Sequence, residues 1–216
     1  MTRVILASAS PARRKVLRQA GIDPLIVVSG IDEEAVIAGM GSDAAPHEVT
    51  AALATAKAER AVDLLDIAVA ADAVVIGCDS MLLVDGFLRG KPESAAVARR
   101  QWREMAGGSG QLFTGHCAIR LSGGETMFAG SETAVTTVHF GTPSVDELDA
   151  YIDTGEPLLV AGGFTLDGLS GWFIDAVDGD PSTVIGIGMP VTRRLFERAG
   201  LSIPTLWKAN PVNYRS

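Results

Sequence analysis

The residues nearest the N-terminus combine hydroxyl groups and cations in a pattern that can hold an anion. Ser8 and Ser10 stand at the end of a short apolar run, and Arg13, Arg14 and Lys15 follow them. Serine often caps a helix, and the free N–H groups and positive dipole end of a helix N-terminus favour an anion. An arginine there can bind two phosphate oxygens in a fork. From this pattern alone, a phosphate-binding turn and an ordinary capped helix with solvated cations both remain open.

A second candidate is Asp79, which follows the apolar run of residues 74–77. We predict that it lies at the end of a buried strand, where α/β proteins place their sites and a carboxylate can hold a metal or orient a water molecule. The alternative is an aspartate that simply opens the next turn. We expect the neighbouring Cys78 to be a small buried side chain, because no histidine is its evident partner.

Glu33, Lys57 and Lys91 complete the candidate set. Each lies at the end of a predicted element or on the polar face of a helix. A lone lysine on a helix is usually just solvated, but Lys91 precedes Pro92, which stiffens the chain beside the cation. Triphosphate hydrolysis depends mainly on positioning and charge stabilisation, so it needs several cations and a metal.

Several common chemistries lack their motifs in this sequence. Neither GxxxxGK[ST] nor GxGxxG is present, which argues against a Walker loop and a dinucleotide fingerprint. His47, His116 and His139 show no HExxH or HxH spacing, and only two cysteines occur, so a zinc hydrolase is disfavoured. We expect each histidine to be structural or at the surface.

Composition narrows the possible partners. The chain has 216 residues, 47% of them hydrophobic, which can bury one sizeable core, so we expect a single domain over residues 1–216. The net charge of −8 argues against binding to duplex nucleic acid. Two cysteines fit a reducing compartment, the first apolar run is too short for a secretory signal, and Asp72 interrupts the longest apolar stretch. We therefore expect a cytoplasmic protein without a membrane segment.

Hydrophobic patterning predicts the elements that position the candidate residues. We expect strands at residues 4–7, 25–28, 68–77, 111–121, 126–140, 172–177 and 183–187, a hairpin at 81–88, and helices at 11–20, 47–65, 93–105, 144–155 and 190–199. Residues 160–171 are rich in glycine and are expected to form a functional loop, and residues 201–216 a loose tail.

Five short motifs, taken together and in order, resemble the Maf family, and the likeness extends to about Gly200. The motifs are Leu6-Ala7-Ser8-Ala9-Ser10-Pro11-Ala12-Arg13-Arg14, Gly77-Cys78-Asp79-Ser80, Gly90-Lys91-Pro92, Thr114-Gly115 and Glu156-Pro157. The resemblance implies an elongated mixed β-sheet flanked by helices, with two lobes and a central cleft like that of inosine triphosphate pyrophosphatases. It also implies a homodimer.

The same resemblance implies an activity and a set of site residues. The reaction would be hydrolysis of a nucleoside triphosphate to the monophosphate and pyrophosphate, with Asp79 as general base and with Mg²⁺ or Mn²⁺ shared by Asp79 and Glu33. The residues expected to contact the substrate are Ser8, Ser10, Arg13, Arg14, Lys57, Ser80 and Lys91.

Departures from the family pattern bear on the choice of base. Relatives that act on dTTP and UTP carry Asp-Lys-Ala-Gly-Ala-Tyr and then Ile-Gln-Gly, whereas this chain differs at residues 159–164 and has Asp167 in place of the glutamine. A carboxylate accepts hydrogen bonds but donates none, which suits the N1–H and amino groups of guanine. We therefore hypothesise a preference for a purine or a modified guanine, as in the family branch that takes 7-methyl-GTP.

Two other functions remain open. A nucleotidyltransferase can also place a serine- and arginine-bearing turn after its first strand and an aspartate after a later one, although the glycine-rich first loop is absent here. Because the family name is tied to septum formation, a non-catalytic regulator of cell division that acts through protein partners is the third possibility.

Overall fold

The structure is a computed structural model that describes residues 1–41 and 43–213. The strands are β1 (Arg3–Leu6), β2 (Leu25–Ile26), β3 (Asp72–Val84), β4 (Phe87–Arg89), β5 (Ser109–Ser122), β6 (Glu125–Phe140) and β7 (Ile174–Asp178). The α-helices are α1 (Pro11–Gln19), α2 (Glu33–Met40), α3 (Pro46–Asp63), α4 (Ile67–Ala70), α5 (Ala95–Met105), α6 (Val145–Asp153), α7 (Pro181–Ile185), α8 (Met189–Arg198) and α9 (Ile203–Ala209). Three 3₁₀ turns lie at Glu156–Leu159, Ala161–Gly163 and Leu169–Phe173.

The strands form one seven-stranded mixed sheet in the order β2-β1-β3-β5-β6-β7, with β4 paired to β3 outside this path. β1 is parallel to β2 and β3, whereas β3, β5, β6 and β7 are antiparallel in succession. The predicted mixed α/β sheet flanked by helices is therefore confirmed. The division into two lobes stays a prediction.

Alternating side chains of β1 and β3 face two different helical layers. Val4 and Leu6 join a core with α1, α8 and α9, and Ile5 packs with the alanines of α3 on the other face. The third core cluster surrounds the fully buried Trp102 at the far end of the long strands.

Two glycines let α3 lie directly on the sheet. A Cβ atom at Gly77 would stand 2.0 Å from the Ala54 carbonyl oxygen, and one at Gly115 would stand 2.1 Å from that of Thr50. Any side chain there would push α3 away from the sheet. The small residues of β3 and β5 therefore determine how closely α3, and with it Lys57, approaches the sheet.

The predicted end of the strand that carries Asp79 was wrong. Asp79 does not follow a strand but lies inside β3, which continues to Val84 with Asp79 paired to Gly115. The strand that ends near this point is β1, whose last residue, Leu6, pairs with Ile76 of β3.

Four local predictions were also wrong. Residues 183–187 are mostly in helix α7 rather than a strand, and residues 67–70 form α4 before β3 begins. Residues 32–34, where the sequence indicated an acidic turn after the strand at 25–28, open helix α2, and the expected loose tail contains α9 and the fully buried Asn210. The last three residues of that expected tail, 214–216, lie outside the described residues. Across residues 1–41 and 43–213, we find no helix whose length and apolarity would suffice to cross a membrane.

Candidate active site

The candidate residues meet at an opening in one edge of the sheet. On this edge, β3 pairs with β1 through residues 73–76 and with β4 through residues 82–84. Within the described chain, residues 77–81 have a strand partner only on the opposite edge, which is β5. At about 3.3 Å per residue, the opening is about 16 Å long, and Asp79 stands at its centre.

The turn after β1 directs a helix N-terminus to the same place. Ser8 Oγ accepts a hydrogen bond from the Ser10 backbone N–H at 3.2 Å, and Ser10 Oγ accepts one from the Arg13 N–H at 3.4 Å. Ser10 thereby caps α1, which has Pro11 in its first turn. The predicted strand, turn and helix are confirmed, and the N–H groups of α1 begin beside the opening.

Arg13 spans the opening from the face on which α1 packs. Its Nη1 donates to the Cys78 carbonyl oxygen at 2.7 Å and to Ser8 Oγ at 3.1 Å, and its Nη2 donates to Ser80 Oγ at 3.4 Å. The guanidinium therefore touches both residues that flank Asp79 in the chain.

Asp79 faces the other layer, where it meets Lys57 of α3. The Lys57 Nζ atom lies 2.5 Å from Asp79 Oδ1 and 2.8 Å from Glu33 Oε1. Asp79 and Lys57 are both buried, whereas the Glu33 side chain is about half exposed. The open strand edge lies between these two faces, with Arg13 on one face and Lys57 and Asp79 on the other.

The charges around Asp79 act on it in opposite directions. Burial raises the pKa of Asp79 above its usual value, while the nearby charges of Lys57 and Arg13 lower it. Burial is the largest of these effects, so the pKa of Asp79 is raised overall, a direction that is common for carboxyl groups that accept a proton in active sites. Cys78 is fully buried as predicted, and burial raises the pKa of its thiol to about 12, so it is not a nucleophile at neutral pH.

Glu33 and Asp79 are the carboxylates that could hold a divalent cation. Each has a second oxygen to which no residue of the described chain donates a hydrogen bond. Among the described residues, no group of three or more His, Cys, Asp and Glu side chains is arranged for a metal. Magnesium is commonly bound by one or two carboxylates together with substrate phosphates, and this donor set matches that pattern.

Lys91 and Arg14, two of the predicted cations, have a less direct relation to the opening. Lys91 is exposed just beyond β4, on the side of the opening opposite the Ser8 turn, and no described residue pairs with it. Its segment is held by a 2.8 Å hydrogen bond from the Gly162 N–H to the Gly90 carbonyl oxygen. Arg14 forms an ion pair with Asp23 at 3.4 Å, so the structure does not bring its side chain to the opening.

Asp167 is connected to α1 across the molecule. Its Oδ2 lies 2.9 Å from Lys15 Nζ, and its Oδ1 accepts a hydrogen bond from Thr165 Oγ1 at 2.8 Å. Partial burial alone would raise the pKa of Asp167, but the hydrogen bonds from Lys15 and Thr165 lower it below its usual value. An ionised Asp167 therefore joins the predicted functional loop to the helix that carries Arg13.

A separate cavity of about 390 Å³ lies away from this opening. Its walls include Trp172 and Phe173 together with the carboxylates of Glu147 and Asp175, but no lysine or arginine. A triphosphate requires cations, so the lining of this cavity does not suit the phosphates.

Sequence reasoning missed two residues beside Arg13. The Gly186 carbonyl oxygen accepts a hydrogen bond from Arg13 Nε at 2.8 Å, and His116 is a fully buried neighbour on β5. His116 was expected to be structural or at the surface, without any link to the site. No spacing in the sequence indicated that link; the available signal was a histidine in the middle of the strand predicted at residues 111–121.

Comparison with known proteins identifies relatives over nearly the whole chain. A family model described as Maf-like protein matches residues 3–199 of the chain. The chain is 61% identical over 212 residues to a protein of Mycobacterium leprae (strain TN), and this match covers 98% of the chain and 100% of the relative. That relative is named nucleoside triphosphate pyrophosphatase.

Two further relatives carry the same name. A protein of Mycobacterium sp. (strain JLS) is 59% identical over 206 residues, covering 95% of this chain and 98% of the relative. One from Rhodococcus erythropolis (strain PR4 / NBRC 100887) is 52% identical over 212 residues, covering 98% and 100%. Identity at this level over whole chains shows common family membership.

Proposed function

The chain belongs to the Maf-like protein family, and from this premise we propose that it hydrolyses a nucleoside triphosphate to the monophosphate and pyrophosphate. Its relatives at 52–61% identity are named for that activity. The observation that carries the proposal is the position of Arg13, whose guanidinium bonds both neighbours of Asp79 at an opening about 16 Å long.

Each residue has a role that follows from its position. The remaining Nη2 N–H of Arg13 and the Ala12 N–H in the first turn of α1 bind phosphate oxygens, as does Lys91 from the other side of the opening. Lys57 offsets the negative charge that accumulates around Asp79. Ser8, Ser10 and Ser80 hold the turn and the guanidinium in place for the phosphates.

Asp79 acts as the general base. It accepts a proton from the attacking water while the water oxygen bonds to the α-phosphorus and the bond from that phosphorus to the pyrophosphate oxygen breaks. Mg²⁺ or Mn²⁺, held by Asp79, Glu33 and the phosphates, would neutralise charge on the phosphate oxygens and acidify the water.

The choice of base is proposed to depend on Asp167. Each of its carboxylate oxygens already accepts one hydrogen bond, from Lys15 or Thr165, and each has a second lone pair for a base edge that offers donors. This supports a purine or modified guanine. The family resemblance further supports a homodimer in the cytoplasm.

A panel of canonical and modified triphosphates tests the function and its metal requirement together. With Mg²⁺ or Mn²⁺, the purified protein is expected to release pyrophosphate and monophosphate in equal amounts without a second substrate. EDTA should lower the rate at least about 100-fold, because the phosphate charge is then left uncompensated.

The outcomes of this panel separate the alternatives. Pyrophosphate release that requires an acceptor molecule would indicate a nucleotidyltransferase, and no cleavage of any triphosphate with either metal would refute the proposed activity. Cleavage of dTTP and UTP alone would leave the activity standing but end the proposal about purines.

A further inference from the structure

The orientation of the Arg13 guanidinium depends on a loop that is distant in sequence. Arginine has five N–H donors, and the described residues accept from four of them: Ser8, Cys78, Ser80 and the Gly186 carbonyl oxygen. The acceptors in Cys78 and Ser80 belong to the rigid sheet. The acceptor of the Nε hydrogen bond, at 2.8 Å, lies instead in the turn between α7 and α8.

This turn, which we call the 186–188 loop, is packed against Arg13. Gly186 has a φ of +122°, which disfavours other residues, and a Cβ atom there would stand 3.2 Å from Arg13 Nε. The side chain of Ile187 is fully buried in the core. The position of the Gly186 carbonyl therefore depends on how firmly the two ends of this short loop are held.

His116 holds one of those ends. Gly188 is the N-cap of α8, so its N–H lies outside the helical ladder and needs an acceptor from elsewhere. That acceptor is Nε2 of His116, at 2.7 Å. The contact is tight, since a Cβ atom at Gly188 would stand 3.3 Å from the same nitrogen.

The ring of His116 is neutral at physiological pH. Burial and the charge of Arg13 lower its pKa to about 4, against weaker opposing effects from Asp180 and the backbone of Thr114 and Glu132. In a neutral ring whose Nε2 accepts a hydrogen bond, the proton is on Nδ1. The lone pair that Gly188 needs is thus available.

We propose that His116 is a positioning residue for Arg13, acting through Gly188 and the 186–188 loop. The path runs from His116 Nε2 to the Gly188 N–H, along two residues to the Gly186 carbonyl, and from there to Arg13 Nε. The proposal rests on the proposed function in one respect, namely that Arg13 binds the triphosphate. His116 itself makes no hydrogen bond to Asp79, so it is not a catalytic residue.

A double-mutant cycle tests this path. His116→Phe fills the space of the ring without an acceptor, His116→Gln restores an acceptor of similar reach, and Arg13→Ala removes the group that is positioned. We expect His116→Phe to lower kcat/KM about 10-fold, because misplacement of a binding group by a fraction of an ångström has effects of this size. His116→Gln should stay within about 3-fold of wild type, and His116→Phe should cost less than about 2-fold in the Arg13→Ala background.

Three results would overturn the proposal. They are an unchanged kcat/KM in His116→Phe, an equal loss in both Arg13 backgrounds, and a His116→Gln variant as impaired as His116→Phe. If His116→Phe does not fold, His116→Met replaces it. Failure of both to fold, while His116→Gln folds, would assign His116 a general structural role and also refute the path.

An NMR signal makes the test independent of catalysis. The Nε–H of Arg13 should give a protected ¹⁵N-correlated resonance in wild type and His116→Gln, and this resonance should be lost or exchange-broadened in His116→Phe. If the wild-type protein cleaves no triphosphate, the proposed function fails, and this resonance alone decides the positioning role. A resonance that is the same in all three proteins would contradict it.

Discussion

Replacing Asp79 by Asn is expected to lower kcat/KM for triphosphate hydrolysis by about 1000-fold, since a general base contributes a factor of this order. Asparagine has nearly the same size but cannot take the proton of the attacking water. It also removes one of the two carboxylates available to a divalent cation.

The same replacement should leave the fold intact. Burial disfavours the charged form of Asp79, and Lys57 retains its 2.8 Å ion pair with Glu33 when the aspartate is neutralised. Thermal unfolding of the variant is therefore expected close to that of wild type. Kinetics and the unfolding transition should be measured on the same preparation.

Asp178→Asn is the matched control, because this exposed aspartate is hydrogen-bonded to His139 at 2.8 Å on the surface, where such contacts contribute little to stability. Its kcat/KM should equal that of wild type. Hydrolysis by Asp79→Asn within about 10-fold of wild type would remove Asp79 from the mechanism. A cellular effect on division that survived in an inactive Asp79→Asn protein would instead show a second, non-catalytic role.

Replacing Lys57 by Met is expected to have the next largest effect, a loss of about 100-fold in kcat/KM at neutral pH. The variant leaves Asp79 buried without the cation that lies 2.5 Å away, and breaking such a pair destabilises a protein by about 3 kcal/mol. Without the charge of Lys57, burial raises the pKa of Asp79 further.

The sign of the pH dependence follows from that shift. A carboxyl with a raised pKa becomes ionised only at higher pH, so the activity of Lys57→Met should rise with pH over a range that lies above that of wild type. Lys57→Arg keeps the positive charge and serves as the control, with a profile close to wild type. The role of Lys57 is refuted if Lys57→Met keeps the wild-type pH profile and rate.

Local signals in the sequence predicted part of this site. The order of apolar strand, capping serine and proline predicted β1, its turn and α1, and the structure confirms them. The predicted strand at residues 183–187 shows the limit of such signals: its β-branched residues favoured a strand, but Asp180 caps a helix that begins at Pro181. Helix α2 was missed for a similar reason, since Asp32 caps it and Glu33 and Glu34 fill its acidic first turn.

Contacts between distant residues could not be predicted from local patterns. Lys57 and Asp79 are 22 residues apart, and only the family resemblance connected them. His116 and Gly188 are 72 residues apart, and no local pattern relates them, because their contact depends on how α8 packs on the sheet. The C-terminal segment was predicted to be loose for the same reason: Asn210 is ordered by hydrogen bonds with Thr2 and Val4, at the other end of the chain.

In the proposed mechanism, Asp79 directs water to the α-phosphorus at the opening between β1 and β4. Hydrolysis of a triphosphate substrate in ¹⁸O-labelled water, followed by ³¹P NMR of the products, measures this directly. The label is predicted on the phosphate of the nucleoside monophosphate, with none in the pyrophosphate. Label in released pyrophosphate, or in orthophosphate formed with a nucleoside diphosphate, would show attack at another phosphorus and contradict the mechanism.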